Sequence, residues 1–470
     1  MFRSVLYLFS GNSFFSLMGL LRNLLVARLL DIEDYGIAAT FAVSLAIVEM
    51  LSNLGLKKMI VQDRQGDDPN MQATLQGFQL LRATAAAVAL FLLAHPLAAF
   101  LGIPHVAWAY QVMALVPFLN GFRNLDLERM HRRMHFLPSI LGTSGPALVS
   151  VLLIWPFFLL LGDYRVMLYA ILAQIAFGVV SSHLLAKRRF RLAFDYEIVR
   201  RSLRFGWPIL MNGALLFAVL HGEKLAVGRE LGMGQLAIFA MGFTLSLTPL
   251  GVVSKSLNQF FLPQLSTAQD DSARFNRLSR INFQAHFLCA VLFAALLAIY
   301  GPAIVHLLLG EKFAALSPLL AWLGILNALR LFKAASALSA FALGRTGNAL
   351  WGNLPRAVGL PLAWYVLVTG GDLLSVIWVG LLGEAAGFLL SLMLLRKQSV
   401  FHLRPLLPTL LLNVAVLAIL AMQAGLPLLF AVPEWATLVL RVSGLALFAA
   451  SLFVAKDLWA YVALVGRRRR

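Results

Sequence analysis

Runs of about twenty apolar residues recur along almost the whole chain, separated by short stretches rich in Gly, Pro and charge. A run of that length matches the hydrocarbon thickness of a bilayer when it is coiled as a helix. The chain is 470 residues long, 60% hydrophobic and only 13% charged, whereas a soluble domain carries about 25% charged residues. The pattern predicts an all-α polytopic membrane protein with about fourteen transmembrane helices, the first near 5–30 and the last near 436–463. Gly102-Ile103-Pro104, Gly162-Asp163, Gly301-Pro302 and Gly370-Gly371-Asp372 mark connections.

The net charge of +18 would suggest nucleic acid as a partner in a soluble protein. Here it reads as topology. Of the 39 lysines and arginines, the great majority fall in connections on one side if the N-terminus is placed inside. The other side holds only Arg165, Lys312 and the border residue Arg229. By the positive-inside rule both termini are cytoplasmic and the spans are even in number. The Arg467–Arg470 tail reads as a topology anchor, with a lipid-headgroup site as the second reading. The N-terminal run lacks a small-x-small cleavage site and continues into Arg22 and Arg28, so it reads as a retained first helix. A single cysteine, Cys289, leaves no intrachain disulfide and no cysteine-based metal site.

A gap-free shift of 201 positions lays VARLLDIEDYGI (26–37) on VGRELGMGQLAI (227–238), pairing Arg28 with Arg229 and Leu30 with Leu231. Internal symmetry of this kind marks transporters built from two halves. The predicted organisation is an N-terminal six-helix bundle (1–186), a basic cytoplasmic linker (187–206), a pseudo-symmetric C-terminal six-helix bundle (207–395), and two additional C-terminal helices with the basic tail (396–470). Six is even, so the halves are related as a parallel repeat.

Charge inside the spans is the functional signal, because an ionised side chain at the bilayer centre costs about 2.5–3.5 kcal/mol. The basic residues placed there are Arg22, Arg28, Arg82, Lys224, Lys255, Arg330, Lys333, Arg356 and Arg441, against Glu49, Glu223 and Glu384. Arg82 and Arg356 lie near the inner surface and are expected to snorkel. Arg28 and Arg229 end their spans and either snorkel or face inward. Arg330 and Lys333 share a helix face at i,i+3 near mid-span, which favours a solvated cavity or an anion site. The shift pairs Arg22 with Glu223 and Asn23 with Lys224; they either line a common cavity or form a structural ion pair. The surplus of cations points to an anionic cargo. Arginine suits phosphate through its two-pronged fork, lysine as a point charge. The diphosphate-binding candidates are Arg22, Arg28, Lys224, Lys255, Arg330 and Lys333. Glu49, Glu223 and Glu384 are candidate coupling or ion-pair acids; Glu49 and Glu384 could equally cap a neighbouring Arg.

No Walker loop and no GxSxG in a fitting context occurs, and no catalytic residue, metal site or cofactor is expected. His131 and His135 have metal-ligand spacing but sit among arginines in ERMHRRMHFLP, which reads as a basic amphipathic segment on inner headgroups. No connection on the outer side exceeds about a dozen residues. Membrane glycan polymerases and ligases usually carry their chemistry in a larger loop or domain.

Residues 22–62, with Ala27-Arg28-Leu29 and Tyr35-Gly36 after a short acidic turn, resemble the first two helices of Wzx-type polysaccharide flippases of the multidrug/oligosaccharidyl-lipid/polysaccharide exporter superfamily. Residues 204–232, with Phe205-Gly206-x-Pro208, are similar to the start of that family's second half, and RRMHF (132–136) to a basic segment after its fourth helix. The resemblance implies two six-helix bundles that alternate between inward and outward openings. It implies movement of an undecaprenyl-type, polyprenyl-diphosphate-linked oligosaccharide from the cytoplasmic to the outer leaflet of a bacterial inner membrane. Membrane lipids and glycan polymerase or assembly machinery are the implied partners, and nucleic acid is not. In the related lipid II flippase branch, first-helix arginines contact the diphosphate, and Arg22 and Arg28 occupy matching places. Many relatives carry Asp-Arg where this chain has Glu223-Lys224, so Lys224 loses bidentate capacity. Two rivals stand beside this reading: a drug/cation antiporter of the same superfamily, which needs acidic cation sites, and a membrane-embedded glycan polymerase or ligase.

Overall fold

The computed structural model describes residues 2–467, apart from 53, 64, 134, 346, 399–401 and 432. Residues 468–470 of the basic tail and Met134 of the RRMHF segment lie outside the described residues, as does the side chain of Pro208. Among the described residues every regular element is helical. The order begins α1 (Phe2–Leu29), α2 (Ile32–Ser52), α3 (Leu56–Gln62), α4 (Pro69–Phe100), α5 (Ala107–Met113) and α6 (Leu115–Gly121). It continues with α7 (Asp126–Arg132), α8 (Leu137–Leu152), α9 (Ile154–Leu161), α10 (Arg165–Leu184), α11 (Tyr196–Glu230) and α12 (Gly232–Ser266). The remainder are α13 (Ser272–Leu308), α14 (Ser317–Ala342), α15 (Gly347–Val368), α16 (Leu373–Gln398), α17 (Leu407–Leu429), α18 (Glu434–Val454) and α19 (Lys456–Arg467).

Among the described residues nine helical stretches are long and apolar enough to cross a membrane. The all-helical, polytopic expectation holds. The helices gather into two compact units, Met1–Met241 and Gly242–Arg470, with α12 running out of the first and into the second.

Local chemistry explains where the helices begin and break. Asp68 caps α4, accepting from the Asn70 and Met71 N–H groups at 3.2 Å each, with Pro69 pre-set at the first helical position. Two long apolar stretches are each broken into two helices. Pro117 cannot donate to the Met113 carbonyl, and the chain splits into α5 and α6 at Ala114. Pro156 likewise leaves Leu152 without a donor, and α8 gives way to α9 at Leu153. The segment 187–206 is not linker throughout: Asp195 accepts from Glu197 N–H (2.9 Å) and Ile198 N–H (3.3 Å), opening α11 at Tyr196. Ile198 and Val199 are then buried against Met71, Leu75 and Phe78 of α4.

Packing in each unit uses what lipid leaves available. Hydrocarbon offers no hydrophobic drive between helices, so small residues and interhelical hydrogen bonds decide the contacts. In the second unit Phe287, Phe332 and Phe388 bring α13, α14 and α16 together with ring centroids 4.2–6.1 Å apart. Asn282 donates to the Ala335 carbonyl (3.0 Å) and Ser339 Oγ (3.2 Å) between α13 and α14. Where α15 crosses α16, a Cβ added at Gly387 would lie 2.3 Å from the Gly352 carbonyl oxygen, so the two backbones are in contact. Leu159, Leu160, Leu382 and Phe453 are exposed apolar side chains, as a lipid-facing surface requires.

Gly387→Val should push α15 off α16 and cost about 1–3 kcal/mol, seen as a lowered melting temperature in detergent. Gly145→Ala, where nothing lies within 4 Å, should not lower the melting temperature. Equal behaviour of the two would refute the close crossing.

Candidate functional site

In the second unit, α14 presents Arg330 and Lys333 on one face, one turn apart. Glu384 of α16 is fully buried between them. Its Oε1 accepts from Arg330 Nε and its Oε2 from Lys333 Nζ, both at 2.6 Å. Arg356 of α15 adds a third cation, with Nε 3.9 Å from Glu384 Oε1. Arg330 Nη1 also donates to Asn327 Oδ1 (3.3 Å), its guanidinium sits 5.6 Å from the centroid of the Phe243 ring, and its buried Nη2 makes no hydrogen bond. One carboxylate is thus shared by three cations.

Arg356 corrects an expectation. It does not snorkel: it is 3% exposed and lies in a slot cut by glycines. A Cβ at Gly380 would stand 1.9 Å from Arg356 Nη1, and one at Gly383 3.4 Å from Arg356 Cδ. Lys333 uses the same device, its Cδ lying 3.4–3.5 Å from the Cβ positions of Gly387 and Gly352. The glycines at 380, 383 and 387 fall on one face of α16, a periodic signal that could have revealed the slot in the sequence. Arg330 and Lys333, expected to face a solvated cavity or hold an anion, are met here by Glu384.

In the first unit, Arg22 is half-buried on α1, and its Nη1 donates to Gln174 Oε1 on α10. Its Nε is buried and makes no hydrogen bond, a group that calls for an acceptor. Asn23 Nδ2 donates to the Gly19 carbonyl at 2.8 Å. Arg28 is exposed in the last turn of α1, where the helix dipole favours a cation. Glu223 is buried and Lys224 half-buried on α11. Lys255, beyond the unit boundary on α12, is exposed. Glu49 lines a cavity of about 310 Å³ with Arg82, Lys57 and Arg123. The last two count only as topology in the sequence, because hydropathy places them in connections. His131 packs edge-on against Phe136 at 4.8 Å, and its Nδ1 lies 3.9 Å from Glu128 Oε2.

A second polar knot, outside the spans, holds the connections of the first unit. Asp126 is fully buried, accepting from Arg129 Nε (2.5 Å) and from the backbone N–H groups of Lys187 (2.8 Å) and Arg188 (3.0 Å). Burial opposes its ionisation, but these donors outweigh it and hold its carboxyl below the usual carboxylate range.

The chain has clear relatives. The family described as polysaccharide biosynthesis protein matches residues 25–318. The chain is 24% identical over 400 residues to the succinoglycan biosynthesis transport protein ExoT of Rhizobium meliloti (strain 1021), covering 80% of this chain and 79% of that one. It is 24% identical over 331 residues to the lipopolysaccharide biosynthesis protein WzxC of Escherichia coli (strain K12), covering 67% and 64%. Among solved structures, the lipid II flippase MurJ in an inward closed conformation superimposes with a TM-score of 0.69 at 14% identity, covering 97% of this chain and 99% of that one. An inward-facing multidrug resistance MATE family transporter of the MOP superfamily gives 0.66 at 16% identity, covering 82% and 94%. These two likenesses establish the fold.

Glu384→Ala strands three buried cations and should cost about 3–5 kcal/mol, read as a large fall in melting temperature; an unchanged melting temperature would show the cluster is not structural. The depressed pKa of Asp126 gives a pH dependence. Its contribution is complete above about pH 4 and is lost as the pH falls through the lower folded value. The protection of the 187–191 amides, measured relative to their intrinsic exchange rate at each pH, should therefore fall on acidification in the wild type, and Asp126→Asn should abolish that pH step.

Proposed function

The chain belongs to the polysaccharide biosynthesis protein family, and from that membership we propose that it is a flippase for a lipid-linked glycan. It moves a polyprenyl-diphosphate-linked oligosaccharide from the cytoplasmic to the outer leaflet of a bacterial inner membrane, with both termini in the cytoplasm. The single observation that carries the reading is the family match over residues 25–318. The named relatives from succinoglycan and lipopolysaccharide biosynthesis support it.

The physical problem is to carry a diphosphate and sugars past hydrocarbon while the prenyl tail stays in lipid. Cations set within the spans answer the first part, since each phosphate of a diphosphate esterified at both ends carries about one negative charge and accepts charge-assisted hydrogen bonds. Arg22 is the leading contact: half-buried, oriented by Gln174, and with an unmet Nε donor. Lys224 and Lys255 supply point charges, and Arg28 guards the end of α1. Arg330 and Lys333 act through the Glu384 cluster as a rigid charged core. The division into two pseudo-symmetric six-helix bundles with two added helices supplies the alternating openings. No covalent step is asked of the protein, and glycan polymerase or assembly machinery would receive the product.

The cation-antiporter reading has the MATE likeness in its favour, but it needs carboxylates open to a cation. Glu384 is held by Arg330 and Lys333, and Glu49 shares its cavity with three basic residues.

In a strain lacking the gene, complete lipid-linked repeat units should accumulate on the cytoplasmic leaflet and clear on complementation. Arg22→Ala should fail to complement and Arg22→Lys should restore part of the export at matched protein level. Full export by Arg22→Ala would defeat the diphosphate contact. Repeat units found on the outer leaflet of the deletion strain would defeat the flippase reading.

A further inference from the structure

A group of charged side chains in the first unit surrounds the cavity of about 310 Å³ between α2, α4 and α6. Its volume is at the lower end of small-ligand sites, ~300–1,000 Å³. Glu49 reaches it from the last turns of α2. Gly55, at φ 66°, turns the chain so that Lys57 at the start of α3 faces the same space. Arg82 comes from α4 and Arg123 from the residues just after α6.

Hydrogen bonds fix the end of α6 and Arg123 beside this cavity. Gln79 of α4 donates through Nε2 to the carbonyls of Asn120 (3.3 Å), Gly121 (3.0 Å) and Arg123 (3.2 Å), pinning the end of α6. A Cβ at Gly121 would be 2.7 Å from the Ala83 Cβ, so α4 and α6 meet closely. Arg123 Nη2 donates to the Gly142 carbonyl at 3.1 Å, which leaves its guanidinium oriented. Lys57 Nζ lies 3.9 Å from Glu128 Oε1, a loose pairing with more than half of the lysine side chain exposed. Three cations face one lining carboxylate, and the opposite wall is apolar, with Val48, Val116 and Pro117.

We infer that this cavity is a capture site for the phosphate-ester headgroup of a prenyl lipid, loaded on the cytoplasmic side before the cargo crosses. The assignment rests on the flippase reading for its orientation and cargo. The chemistry points to a phosphate ester: the oriented guanidinium of Arg123, the guanidinium of Arg82 and the Lys57 ammonium suit phosphate oxygens. Even with Glu128 beside Lys57, the basic side chains around the cavity outnumber the acidic ones, which suits an anionic headgroup. The apolar wall accepts the first carbons of the chain. Glu49 then serves as the occupant of the empty site. Its carboxylate neutralises the cations until a phosphate displaces it, so it sets the threshold for loading.

The test uses the full-length purified protein in phosphatidylcholine nanodiscs with farnesyl diphosphate as probe. Lys57→Gln and Arg123→Gln should each weaken binding by about tenfold or more, and Glu49→Gln should strengthen it several-fold. The gain in the last variant cannot arise from misfolding. Unchanged affinity in all three variants would overturn the site. Inorganic diphosphate binding as tightly as the farnesyl ester would overturn the lipid assignment. Displacement of the probe by phosphatidylglycerol in the disc would show a bulk membrane lipid as occupant and overturn the cargo role. The leaflet assay in the deletion strain separates this proposal from the flippase reading. Loss of export with cavity variants that bind normally sinks only the capture site. Cavity variants that behave as expected, in a strain whose cargo reaches the outer leaflet without the gene, sink only the flippase.

Discussion

Three helices of the second unit meet at one carboxylate. A cation in hydrocarbon costs about 2.5–3.5 kcal/mol, and Arg330, Lys333 and Arg356 come from two different helices into the same dry core. Glu384 makes that arrangement tolerable by accepting from two of them directly and facing the third. Such a cluster is a poor source of net stability, because desolvation offsets its Coulomb gain. What it fixes is position: Glu384 of α16 holds Arg330 and Lys333 of α14 directly and faces Arg356 of α15.

That register in turn demands small residues. The guanidinium of Arg356 occupies the volume where a side chain on Gly380 would be, and the stem of Lys333 runs between Gly352 and Gly387. The aromatic contacts of Phe287, Phe332 and Phe388 close the core around it. Charge, glycine and aromatic packing are therefore one device. The first unit solves its own problem differently, with Arg22 tied to Gln174 and a cluster of cations left around a cavity.

Hydropathy alone makes the helical, polytopic fold legible, since run length is set by bilayer thickness. The i,i+3 spacing of Arg330 and Lys333 correctly placed them on one face. Their partner, 51–54 residues away in sequence, is fixed by tertiary packing that no local pattern encodes. Arg356 differs from its sequence expectation for the same reason: proximity to the inner surface suggests snorkelling, and only the glycines of another helix make burial feasible. The breaks at Ala114 and Leu153 follow from Pro117 and Pro156, whose missing N–H groups were present in the sequence but outweighed by unbroken hydropathy. Lys57 and Arg123 carry no signal of the cavity in the sequence, because charge in a connection explains orientation so well that a second role leaves no separate trace.

The most direct test of the account is transport by the purified protein in proteoliposomes. A fluorescent polyprenyl-diphosphate oligosaccharide is placed in one leaflet, and an impermeant reagent reports its arrival in the other. The account predicts arrival well above the protein-free rate, strongly reduced by Arg22→Ala, with the oligosaccharide chemically unchanged. Arrival at the protein-free rate in vesicles of folded protein, or conversion of the oligosaccharide to a longer or transferred product, would contradict it.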